Sequence, residues 1–67
     1  MWCPRCNQGY VRKVRIRETG EVVHICEECD ALWSAGKEVS ASNFVDFSQY
    51  VQPLGLKGVW REVEVVE

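Results

Sequence analysis

Four cysteines are the side chains whose spacing most plainly implies chemistry. Cys3-Pro-Arg-Cys6 and Cys26-Glu-Glu-Cys29 are two C-x-x-C pairs with nineteen residues between them, giving C-x2-C-x19-C-x2-C. That spacing is the signature of a four-cysteine zinc site. Each C-x-x-C turn brings two thiolates to one cation while N–H groups of the turn point at the sulfurs. Two such knuckles complete a tetrahedron with zinc–sulfur distances of about 2.3 Å. The chain usually leaves a knuckle through a left-handed residue. The positions that follow here hold Asn7 and Asp30, which tolerate that conformation best after glycine. Four thiolates leave no position open for water or substrate, so the expected role is structural, with one Zn2+ per chain held by Cys3, Cys6, Cys26 and Cys29. A redox couple and a pair of disulfides are the alternatives. A thioredoxin-like motif needs one C-x-x-C at a helix start in a βαβ pattern, which is not present. Disulfides need an oxidising compartment.

The chain has 67 residues and is expected to form a single domain over 1–67. A core of this size supplies only a few kcal/mol, roughly, so a staple is expected. The opening MWCPRC shows no basic head and apolar run of a signal peptide, and no apolar stretch reaches about 18 residues. A cytoplasmic, non-membrane protein is the expectation. The net charge of −2 is unevenly spread. Residues 1–17 hold five bases and no acid, whereas residues 18–67 hold ten acids against Lys37, Lys57 and Arg61.

CPRC, an intervening hairpin and CEEC resemble the zinc-ribbon family over Met1 to Trp33, and in particular short, free-standing bacterial zinc ribbons. The resemblance implies two knuckles joined by a β-hairpin, often with a third strand, and little about activity. Rubredoxin, an iron electron carrier, is the nearest competitor. Its pattern puts glycine after each knuckle and a longer gap between them, and this chain departs on both counts.

The elements that must position the sulfurs can be read from hydrophobic period. Gly9 to Arg17 alternates like a strand, with Tyr10, Val14 and Ile16 on one face and Lys13, Arg15 and Arg17 on the other. Glu18 to Glu21 reads as a tight turn with Gly20 at positive φ, and Glu21 to Ile25 returns to deliver Cys26. Pairing Ile16 with Val23 and Val14 with Ile25 gathers the apolar residues on one side. His24 falls on the outer face, and Trp2 and Trp33 are expected to shield the metal and extend the core. Ser34 to Ser42 reads as a linker. NFVDFSQYVQP reads as a short helix capped by Asn43, with Asp46 in its first turn, stopped by Pro53, and with Phe44, Phe47 and Val51 on one stripe. Val59 to Val66 reads as a closing strand with Val59, Val63 and Val65 on one face. The fold class expected is small α+β and metal-stapled: a zinc ribbon over 1–33, then a helix and a closing strand over 34–67 in one antiparallel sheet.

Function is expected to reside in the surface, and no enzymatic activity is expected: no phosphate-binding glycine loop or Ser/His/Asp set is present, and His24 is the one histidine. The acidic body favours a basic protein partner. One concrete class is a small acidic inhibitor, an immunity protein or antitoxin covering a basic nuclease toxin through Glu27, Glu28, Asp30, Glu62 and Glu64. The alternative is a nucleic-acid-binding ribbon acting in transcription or translation through Arg12, Lys13, Arg15 and Arg17, with Trp2 and Tyr10 as stacking groups.

Overall fold

The computed structural model describes all residues from Met1 to Glu67. Strands β1 (Val11–Ile16) and β2 (Val22–Cys26) form the hairpin between the knuckles. β3 (Ala31–Trp33) leaves the second knuckle and pairs with β2; β4 (Val45–Asp46) pairs with β3; β5 (Val63–Val65) pairs with β1. The five strands form one antiparallel sheet in the order β4-β3-β2-β1-β5. One short helix, α1 (Phe47–Val51), follows β4. The chain is thus a small α+β fold in which the C-terminal strand closes the hairpin's sheet. No helix is long and apolar enough to cross a membrane.

Cross-strand partners share a face, so the register sorts the side chains into two layers. Val14, Ile16, Val23, Ile25 and Leu32 point to the side covered by Phe47 and Val51, and Val63 joins them from β5. Val11, Cys26, Ala31 and Trp33 cluster separately with Cys3 and the half-buried Val39 and Phe44. One face of this small sheet is therefore covered by the helix, and the other is covered at its knuckle end, leaving Lys13 and Arg15 exposed.

The hairpin register differs from the expected one. Val14 lies opposite Val23 and Val11 opposite Cys26, a slip of two residues that keeps the apolar face intact. The turn is longer than a two-residue loop: the Gly20 N–H donates to the Ile16 carbonyl at 2.7 Å and the Ile16 N–H to the Glu21 carbonyl at 2.8 Å. Gly20 has the expected positive φ, 80°. The slip brings Cys26 level with Val11, where it can reach the first knuckle; the expected pairing would have set it opposite Lys13.

Tertiary contacts redraw three further segments. The helix begins at Phe47 and not at Phe44, because Val45 and Asp46 are taken into β4. Asp46 is the residue at its N-terminus, and Asn43 accepts a hydrogen bond from the Ser40 hydroxyl at 2.6 Å instead. Pro53 does not end the helix abruptly; Gln52–Leu54 continues it as a 3-10 turn, closed by Gly55 at φ 78°. Ser34 to Ser42 is no free linker, since the Trp33 indole N–H donates to the Ser40 carbonyl at 2.9 Å and Val39 packs below. Val59 is not in the closing strand. The Glu62 carboxylate accepts the N–H groups of Lys57, Gly58 and Val59 at 3.0, 2.8 and 3.1 Å, which winds the chain into a 3-10 turn at Trp60–Glu62 before β5 starts. Val63 alone of the three valines is buried.

Candidate metal centre

The two knuckles are built alike. In the first, the Asn7 N–H donates to the Cys3 carbonyl at 3.1 Å; in the second, the Asp30 N–H donates to the Cys26 carbonyl at 3.1 Å. Asn7 and Asp30 sit at φ 57° and 60°, the only non-glycine residues at positive φ. Inside each turn an N–H faces a sulfur: Arg5 to Cys3 at 3.4 Å, Glu28 to Cys26 at 3.4 Å and Cys29 to Cys26 at 3.5 Å. Hydrogen bonds to thiolates lower their charge density and hold their direction. Gly9 permits the close approach of the knuckles, because a Cβ there would come within 2.6 Å of the Glu28 Cβ and 2.9 Å of the Cys26 sulfur.

All four sulfurs lie within 4.8 Å of one another. Cys3 Sγ is 3.8 Å from Cys29 Sγ, and Cys6 Sγ is 3.7 Å from Cys26 Sγ. A tetrahedron with metal–sulfur bonds of about 2.3 Å has edges of about 3.8 Å, so the spacing fits a four-thiolate site. The four residues are free cysteines, Cys3 and Cys26 buried and Cys6 and Cys29 half-buried. Burial pushes the Cys26 thiol up to about 12 and raises that of Cys29 as well. The Gln8 N–H draws that of Cys6 down to about 7. Without a cation the Cys26 and Cys29 thiols thus hold their protons at neutral pH. A divalent cation must displace those protons, so its affinity rises with pH. The arrangement can hold a metal ion, as a zinc-ribbon site does.

The aromatic surroundings are divided. Trp33 is fully buried beside the knuckles, as expected of a shield. Trp2 is not: it is 56% exposed, bridged to Tyr10. Tyr10 is likewise exposed and does not join Val14 and Ile16 in the core. Phe44 lies under the Arg5 guanidinium, 4.3 Å from ring centroid to Cζ, a contact that no local pattern signals. His24, half-buried between Lys13 and Trp33 in the sheet, stands outside the sulfur cluster.

The charged candidates are dispersed among internal contacts. Among the bases, Arg12 pairs with Glu67 and Glu27, Arg15 with Glu64 at 3.0 Å, and Arg17 donates to the Arg61 carbonyl at 3.2 Å. Lys13 is left exposed without an ion-pair partner. Among the acids, Glu62 is held by its three N–H groups, which lower its pKa. Asp30 accepts from the Trp60 indole at 3.4 Å, and its carbonyl accepts the Phe47 N–H at 2.9 Å, so it ties the helix to the second knuckle. Glu27 and Glu28 are exposed side by side on the second knuckle, and Glu64 is exposed on β5 beside Arg15. Sequence pattern offered no sign that Glu64 on β5 and Glu67 beyond it would pair with Arg15 and Arg12, because those pairings span 49 and 55 positions.

No protein-family model matches this chain, and neither does any curated protein or solved structure. The centre is defined by its own geometry.

Proposed function

We propose that the chain is a non-enzymatic zinc-ribbon module that works by binding a protein through its surface. The observation that carries this reading is the pair of matched knuckles, with sulfur spacings of 3.7 and 3.8 Å around one point. Four protein thiolates complete the coordination of zinc, so the metal organises the fold and has no vacant position for chemistry. The acidic balance of residues 18–67 supports a basic partner, and an acidic inhibitor of a basic nuclease toxin is the specific form of the proposal. The ion pairs of Arg12 and Arg15 support this over nucleic-acid binding, since both guanidiniums are already engaged by carboxylates.

Elemental analysis of the purified chain tests the metal half of the reading: one zinc per chain is expected, and stoichiometric iron with thiolate-to-iron absorption would make it an electron carrier instead. The partner half is tested by reversing charge. Glu27→Lys with Glu28→Lys should slow association with a protein partner captured from the native host. Steeply salt-dependent binding to a mixed RNA or DNA pool, abolished by Lys13→Glu with Arg15→Glu, would overturn it.

A further inference from the structure

The first knuckle holds two aromatic side chains out to solvent in a fixed arrangement. Trp2 and Tyr10 face one another across an antiparallel bridge, with ring centroids 6.2 Å apart at an interplanar angle of 74°. The Val11 N–H donates to the Met1 carbonyl at 2.6 Å, which fastens the segment to β1. Even so, Trp2 is 56% and Tyr10 47% exposed, and Met1 beside them is 57% exposed. A backbone already tied into the sheet has lost its ordering entropy on folding, so these rings can meet a partner at little further cost. Aromatic side chains held in this manner are the common anchors of protein interfaces.

The rim of the platform is acidic. The Glu27 N–H donates to the Tyr10 carbonyl at 3.0 Å, and the Arg12 guanidinium lies between Glu27 and Glu67. Glu28 packs against Gly9, next to Tyr10, and its carboxylate forms no ion pair. The carboxylates of Glu27, Glu28 and Glu67 thus outnumber the cations beside them, the Arg12 guanidinium and the Met1 ammonium that acts on Glu67, and Glu28 is the one with no ion-pair partner.

We infer that Trp2 and Tyr10 form the docking platform for an arginine-bearing segment of a basic protein, with Glu28 receiving the guanidinium. Guanidinium is planar and weakly hydrated, so it stacks on an indole or phenol face and still forks onto a carboxylate. Lysine makes the charge contact without the stacking plane. Nucleic-acid bases also stack on aromatic rings, but their phosphates would meet Glu27, Glu28 and Glu67. This inference rests on the protein-binding reading above and narrows it to one face.

The test is a titration of the zinc-loaded, isotope-labelled chain with an arginine-rich peptide, its lysine counterpart and oligodeoxythymidine. The Trp2 indole N–H and the amides of Tyr10 and Glu28 are followed by NMR. The arginine peptide is expected to shift these signals and to bind more tightly than the lysine peptide. Trp2→Ala and Glu28→Lys should each weaken it by about tenfold or more, with the rest of the spectrum unchanged. Preferential binding of oligodeoxythymidine at Trp2 and Tyr10 would overturn the inference in favour of a nucleic acid. Equal binding of both peptides, or no shift at Trp2 in a folded, zinc-loaded chain, would overturn it while leaving the metal reading intact. Shifts from the arginine peptide confined to other acids, such as Glu62 and Glu64, would overturn this face and leave the protein-binding reading standing; binding of neither peptide anywhere on the chain would count against both.

Discussion

On one face of the sheet, Val14, Ile16, Val23, Ile25 and Leu32 meet Phe47 and Val51, and no sulfur takes part. On the other, Val11, Ala31 and Trp33 share their layer with the knuckles of Cys3 and Cys26. The helix-side layer is held by ordinary apolar burial, which acts whatever the solution contains. The knuckle-side layer is conditional: its thiols are buried, its turns use left-handed Asn7 and Asp30, and its close contact at Gly9 leaves no slack. The two layers share β1 and β2, so the conditional one governs the register of both. Asp30 and Trp60 strengthen the link, because Trp60 packs edge-on against Phe47 at 6.3 Å and reaches back to the second knuckle.

The comparison is broken most severely from the knuckle side. Cys26→Ser removes a buried ligand from the centre of β2's end. Structural zinc contributes on the order of 10–16 kcal/mol of apparent binding free energy in peptides, more than an apolar layer this small supplies. The variant is expected to lose cooperative unfolding by circular dichroism and to hold no stoichiometric zinc. A Cys26→Ser chain that melts like the wild type would mean that the helix-side layer suffices.

Phe47→Ala attacks the other face. Removing a fully buried phenyl ring should cost about 3–5 kcal/mol, lowering the melting midpoint of the zinc-loaded chain. It should leave the zinc stoichiometry at one, because the sulfurs do not touch that ring's layer. Simultaneous loss of zinc would show that the two faces are less separable than their residue lists imply.

The smallest effect is expected at the sheet's edge. Glu62 has its pKa lowered chiefly by the Lys57 N–H, with further help from Val59 and Gly58. A carboxylate whose folded pKa lies below its unfolded value adds stability above the unfolded value, and that stability is lost as pH falls through the folded one. Glu62→Gln should therefore lower the melting midpoint at neutral pH by less than Phe47→Ala does, and the gap from wild type should shrink on acidification below the ordinary carboxylate range. An equal gap at all pH values would assign Glu62 a packing role only.

How much of this was legible in the sequence follows the same division. The knuckles were, because C-x-x-C spacing and the residues after each pair are local properties, and Asn7, Asp30 and Gly20 adopt the positive φ expected of them. The closing strand's membership of the sheet was expected from three valines needing cover; the strand does join the sheet, but Val63 alone of the three is covered. The register was not legible, because it is set by where Cys26 must stand and not by the turn. Val45 and Asp46 were lost to the helix for a similar reason: their pairing with Leu32 and Ala31 is not visible locally. Ser34 to Ser42 looked like a linker because its structural contribution is a backbone carbonyl, offered to the Trp33 indole, and any residue could supply one. Trp2 was expected to shield the metal because it flanks the first knuckle, yet its bridge to Tyr10 leaves it 56% exposed.

The central claim is that one cation assembles the knuckle face and thereby fixes the hairpin for both layers. A zinc titration of the metal-free chain, followed by amide NMR, addresses it directly. The expected result is a poorly dispersed spectrum before addition and a single dispersed set after one equivalent, with β1, β2, Phe47 and Val51 signals appearing together. A metal-free chain that already shows the dispersed spectrum, unchanged by zinc, would contradict the claim.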